Sequence, residues 1–290
     1  IAAMGDLWAF DVCVNTWHEL VVSPSPGELM LVYDADSDVT VGFGTGSVWK
    51  YDAWVWIYDA NTNEATLREM PPEYAVATPG LGAIYDPISG LVVLQTDTSG
   101  LVAYDADSNT WTPLGKVVDD GGYGPYLVGY AEETDRLVLV DLSQQTGQGQ
   151  QAGKGWLVDP RTGDSVAFTG PENGFFAGFG RLNYATTTST PFVVDGNRIC
   201  RLDSTIPAWN CVALADGPGD FDDDGSGSGL LAAIVDDASN NRTLLIYGYG
   251  PGFNGARYYD VNDIWAIGHE DTHWTHVLPA TGPMTLENDG

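Results

Sequence analysis

The sequence predicts an all-β chain: a β-propeller of about six four-stranded blades, the first of them incomplete at its N-terminus. Three observations predict it. A hairpin-like pattern recurs at blade spacing along the chain, a second strand–turn–strand pattern alternates with it, and no segment carries a helical period with caps.

The first pattern is an alternating apolar run, an Asp, a short polar turn and often a Trp. It reads DLWAFDVCVNTWHEL from Asp6, WVWIYDANTNEATL from Trp54 and GLVAYDADSNTWTPL from Gly100. Weaker copies start at Lys154, Asn197 and Asn262, which sets hairpins near 6–20, 54–67, 100–114, 154–168, 197–212 and 262–277. The turn Asp is Asp11, Asp59, Asp105, Asp159 and Asp203, and Gly268 takes its place in the sixth copy. Trp17, Trp111, Trp209 and Trp274 follow six residues later, with Ala65 and Ser165 at that position in the other two. Successive copies stand 48, 46, 54, 44 and 65 residues apart, a blade period and not that of a helical solenoid.

The second pattern is an apolar run, a polar turn and another apolar run, starting at Leu29, Gly82, Leu127, Arg181 and Leu231. Short β-branched and aromatic runs bounded by Asp, Asn, Ser and Gly form strand–turn–strand units. Each repeat thus supplies two hairpins, and four-stranded blades need neighbours to pack against, so the chain is expected to form one propeller domain over 1–290. Six hairpins of the first kind meet only five of the second. The first blade is therefore expected to begin at its second strand, with Ile1 to Met4 as a stub. Closure would draw on a missing strand or on Pro279 to Gly290; five blades and an additional hairpin is the alternative. The chain starts at Ile1, read as a removed leader or a piece of a longer protein.

The passage from Ala83 to Leu114 carries Tyr-Asp, a later Tyr-Asp and Asn-Thr-Trp in an order that resembles a kelch repeat. The likeness is to bacterial kelch propellers and the central domain of galactose oxidase. It covers nearly the whole chain with degenerate repeats. Glycine pairs expected after the second strand survive as Gly44 and Gly46, or Gly248 and Gly250. WD-type and other propellers share the ring.

Charge narrows the partners. Forty Asp and Glu face eleven Lys and Arg, a net charge of −29. Such a field repels phosphate backbones and anionic headgroups, which disfavours nucleic acid and membrane surfaces as partners. No run of 18 apolar residues is present to insert in a bilayer.

Three cysteines fit the hairpin frame. If Phe10 pairs with Trp17, the equivalent pair is Leu202 with Trp209, and the same register sets Cys200 opposite Cys211. Opposed residues are close enough for a disulfide after local adjustment. Such a bond suggests an oxidising, extracellular or cell-envelope location; two unrelated buried thiols is the alternative. Cys13 lies in a turn and reads as a free thiol.

Candidate chemistry is sparse. GPGDFDDDGSGSG, from Gly217, places Asp220, Asp222 and Asp224 around Gly225, an alternation that can wrap Ca2+, the candidate cofactor. The bidentate acid of an EF-hand is absent, since Leu231 holds its position. The segment resembles calcium loops of FG-GAP-type repeats, with Ser228 where an acid is expected. A solvated acidic loop is the other reading. His269, His273 and His276 cluster in sequence, but a hairpin turn separates their directions, and His18 lies apart. The resemblance to galactose oxidase stops at the blade framework, with no match to its copper-binding positions, and no catalytic residue is assigned.

Two faces are expected. Turns within hairpins, such as 34–38, 105–109, 132–135 and 236–241, are short and acidic, forming a cation-attracting or merely solvated face. The other face collects longer connections rich in glycine and aromatics. Its candidate ligand-binding residues are Trp49, Tyr51, Trp54, Tyr123, Tyr126, Phe175, Phe176, Tyr249, Phe253 and Tyr258. Aromatic rings on long loops suit sugars or peptide side chains. The expected function is a non-catalytic extracellular recognition or scaffold propeller for a protein or glycan; a carbohydrate-active or oxidative enzyme of the same fold is the alternative.

Overall fold

A computed structural model describes residues 2–3, 6–14, 16–24, 29–44, 54–74, 82–96, 100–116, 125–141, 154–169, 183–185, 190–195, 198–214, 231–248, 263–269 and 271–277. All of its sheets are antiparallel meanders. The first has three strands, β1 (Ala2–Ala3), β2 (Asp6–Asp11) and β3 (Thr16–Leu20). Five four-stranded sheets follow. They comprise β4 (Leu29–Asp34), β5 (Val39–Gly44), β6 (Trp54–Asp59) and β7 (Glu64–Glu69), then β8 (Ala83–Asp86), β9 (Leu91–Gln95), β10 (Gly100–Asp105) and β11 (Thr110–Lys116). Next come β12 (Pro125–Ala131), β13 (Arg136–Asp141), β14 (Lys154–Val158) and β15 (Ser165–Thr169). The last two are β16 (Asn183–Ala185), β17 (Thr190–Asp195), β18 (Arg198–Asp203) and β19 (Ala208–Ala213), then β20 (Leu231–Asp237), β21 (Arg242–Gly248), β22 (Asp263–Gly268) and β23 (Thr275–Val277). The architecture is all-β, of the propeller class, with five complete blades and a three-stranded sheet ahead of them.

Strand position explains composition. β6 carries four successive buried residues, Val55, Trp56, Ile57 and Tyr58, because a middle strand is covered on both faces. β10 repeats this with Leu101, Val102, Ala103 and Tyr104. The fourth strand of each sheet has one covered face at most; β7 and β19 are mostly exposed, and β7 is largely polar.

The chain divides into two compact units. One holds the β4–β7, β8–β11 and β12–β15 sheets together with Leu7 and Leu20. Its core packs Val41, Phe43, Val55 and Ile57 against Val92, Leu94, Val102 and Tyr104, with Trp111 partly buried beside them. Val93 and Leu101 pack likewise on Tyr130, Leu137, Leu139 and Trp156. The second unit holds the β16–β19 and β20–β23 sheets with residues 8–19. There Phe192, Ile199 and Leu214 meet Leu245, Ile267 and Trp274, and Trp17 packs on Leu244, Ile264 and Ala266.

Gly44 shows why a remnant glycine persists. It pairs with Trp54 across β5 and β6, and a Cβ there would meet the indole at 2.5 Å. The aromatic ring covers the strand only where its neighbour lacks a side chain.

Candidate functional site

The hairpin turns are the best-defined polar constellation among the described residues, and one design repeats through them. An Asp ends the first strand and its carboxylate accepts hydrogen bonds from the amides two and three residues on. Asp34 accepts from Asp36 N (3.1 Å) and Ser37 N (3.2 Å), and Asp59 from Asn61 N (2.8 Å) and Thr62 N (3.4 Å). Asp86, Asp105, Asp159, Asp203 and Asp11 do the same in their turns. Serine hydroxyls add a further donor in three of them, from Ser37, Ser89 and Ser108. This is the Asx-turn chemistry that makes Asp a turn initiator.

Four residues beyond the Asp, the chain enters the left-handed region: Asp38 (φ 53°), Asn63 (56°), Asn109 (52°) and Asn241 (52°), or Gly90 (70°) and Gly163 (75°). Asn and Asp tolerate that conformation better than other side chains. The preceding strand supplies a tyrosine whose hydroxyl donates to the left-handed residue. Tyr33 bonds Asp38 (2.6 Å), Tyr58 bonds Asn63 (3.1 Å) and Tyr104 bonds Asn109 (3.0 Å), while Tyr130 donates to Asp135. Gly90 offers no such acceptor. Tyr85 instead bonds Asp36 of the neighbouring sheet, whose carboxylate occupies the space a Cβ on Gly90 would need. Burial first, then this carboxylate, pushes the Tyr85 hydroxyl up to about 12.

These bonds hold the carboxylates in their charged form. Hydrogen bonds from Ser108 lower the Asp105 pKa, those from Thr205 and Ile206 lower that of Asp203, and those from Tyr33 and Asn61 lower that of Asp38. The acids leading these turns therefore bond their own backbone. Links also run between turns. Asn61 donates to Asp38 (2.8 Å) and Arg161 pairs with Asp135 within their sheets, while Arg68 donates to Tyr104 Oη (3.1 Å) and Ala106 O in the next sheet. The abundance of acid in these turns predicts a solvated or cation-attracting face and does not reveal this network. The recurring Tyr-Asp followed by Asn or Asp four residues later was its visible signal.

Of the ligand-binding candidates, Trp54 and Tyr126 lie in strands and not in loops. Trp54 opens β6 and packs against the cluster of Leu7, Trp56 and Tyr58, because its ring covers Gly44. Tyr126 sits in β12 opposite Val140. Trp49, Tyr51, Tyr123, Phe175, Phe176, Tyr249, Phe253 and Tyr258 lie outside the described residues, as do Asp220, Asp222 and Asp224. The histidines have separate surroundings: His18 bonds Thr16, His269 bonds Asn241 and His276 stacks on Trp265 (4.6 Å). Among the described residues, no three His, Cys, Asp or Glu side chains gather as a metal site. Cys200 stands opposite Cys211 in the β18–β19 ladder, Cα atoms 4.0 Å apart, and the two sulfurs are bonded. Cys13 is an exposed free thiol. No described helix is long and apolar enough to cross a membrane.

No known protein family and no curated protein matches the chain. Solved structures do. A chain of a mitotic checkpoint complex is 11% identical, with 97% of this chain and 75% of that one covered and a TM-score of 0.50. A putative 6-phosphogluconolactonase from Bacteroides uniformis ATCC 8492 is 13% identical, covering 94% of this chain and 78% of the other, also with a TM-score of 0.50. At these identities the likeness is one of fold.

Proposed function

We propose that the chain is a single non-catalytic recognition propeller, kelch-like in its repeats and extracellular or cell-envelope in location, that binds a protein or glycan through its long-connection face. One observation carries the reading: the turn ends of the sheets are short and internally bonded, with leading acids that already serve their own backbone. The adaptable chemistry is left to the opposite ends. There the connections are longer, as from Asp141 to Lys154, Thr169 to Asn183 and Ala213 to Leu231. Long loops on a rigid scaffold are where recognition concentrates. The Cys200–Cys211 bond supports an oxidising location. Ca2+ at Asp220, Asp222 and Asp224 would brace one such connection.

Glycan and peptide arrays test this. Binding is expected to survive Ile88→Ser, at an exposed turn position, and to fall at least tenfold with Tyr123→Ala or Tyr249→Ala. A protein that binds neither array and holds copper tightly would overturn the reading in favour of an oxidative enzyme.

A further inference from the structure

We infer that Asn241 is an N-glycosylation site, an inference that rests on the extracellular location proposed above. Asn241-Arg242-Thr243 is the chain's one Asn-X-Ser/Thr triplet with X other than proline. The structure puts this triplet where a glycan fits. Asn241 is exposed at the end of the β20–β21 turn, and its left-handed backbone (φ 52°) sets it apart from the strand it precedes.

Its side chain also differs from the other turn asparagines. Asn63 and Asn109 accept from the tyrosines Tyr58 and Tyr104, and Ala65 and Trp111 stand two residues later, so neither is an acceptor triplet. In the β20–β21 turn Asp236 takes the tyrosine's position, and Asn241 Oδ1 meets His269 Nδ1 (3.1 Å) instead. That contact uses the oxygen. The nitrogen is the atom that carries a glycan, so the turn's own bond and the modification draw on opposite ends of one amide. Thr243, the recognition hydroxyl, is 1% exposed in β21, so the triplet is read before the strand pairs and is sheltered afterwards.

The transfer balances with a lipid-pyrophosphate-linked oligosaccharide as donor. Asn241 Nδ2 loses a proton and bonds the anomeric carbon, whose bond to pyrophosphate breaks, releasing the lipid pyrophosphate.

Peptide mass spectrometry of the full chain from its native cells, with thiol alkylation before and after reduction, decides the matter. A hexose- or hexosamine-bearing Asn241 with Cys200–Cys211 oxidised is the expected result. A bare Asn241 beside an oxidised pair overturns the glycosylation inference and leaves the location standing. A bare Asn241 with both cysteines reduced overturns both. In a secreting host, Thr243→Ser should keep the glycan, whereas Thr243→Val and Asn241→Asp should lose it. Modification persisting in folded, secreted Asn241→Asp protein would place it elsewhere.

Discussion

The β10–β11 and β18–β19 hairpins share a register beside their turns but differ in what secures them. Tyr104 faces Trp111 in one, and Leu202 faces Trp209 in the other. Around the first, Phe43, Tyr74, Tyr104 and Trp111 form an aromatic cluster, with ring centroids of Tyr104 and Trp111 4.5 Å apart, and Arg68 reaches in from the neighbouring sheet. The second carries an outer strand that is exposed at nearly every position, with Val212 at 41%, and it is bridged by Cys200–Cys211. One outer strand is fixed by packed aromatic rings and the other by a covalent bond, while the inner strands of both hairpins are buried, Ile199, Cys200 and Leu202 included. Degeneracy of the repeats therefore has a physical meaning: each copy keeps the turn and varies the means of fixing it.

The largest expected effect lies on the buried side. Tyr104→Ala removes a fully buried ring and two hydrogen-bonding links, and should lower unfolding stability by about 4 kcal/mol in denaturant titration. Cys200→Ala with Cys211→Ala should cost about 2 kcal/mol, and a reductant should reproduce that loss in the parent but not in the double variant. A cost equal to that of Tyr104→Ala would erase the contrast between the hairpins.

Next comes the feature the hairpins share. Asp105→Ala should cost about 1 kcal/mol, since it strips two amides and a hydroxyl of their acceptor. Asp105, Asp203 and Asp38 are held below their ordinary value of 3.8, so their contribution is complete above that pH. It disappears as pH falls through the lower folded values. Melting temperature should therefore drop on acidification below pH 4, and less steeply in Asp105→Ala. The smallest change is Asn109→Gly, which relieves a left-handed backbone but forfeits the Tyr104 bond; thermal melts should place it within about 0.5 kcal/mol of the parent.

Much of this was legible in the sequence. The six hairpins of one kind and five of the other all appear, as does the register that opposes Cys200 to Cys211. Those features depend on local alternation and turn chemistry, which adjacent residues encode. Trp54, grouped with the long connections, stands at the entrance of β6. An aromatic residue at a strand entrance looks the same in sequence whether it faces solvent or covers a glycine such as Gly44 on the next strand. The role of the acids was also partly hidden. Their abundance suggested a charged face, while their spacing from Tyr and Asn held the information about bonding.

By itself the sequence determined the blade period, the strand–turn alternation and the pairing within each hairpin, because these are set by neighbours a few residues apart. Only the tertiary structure decided which partner each side chain takes across sheets. Tyr85 turns to Asp36, and Arg68 to Tyr104 and Ala106, because packed sheets bring together groups that lie dozens of residues apart in the chain. Such contacts have no fixed sequence spacing, so no local pattern records them.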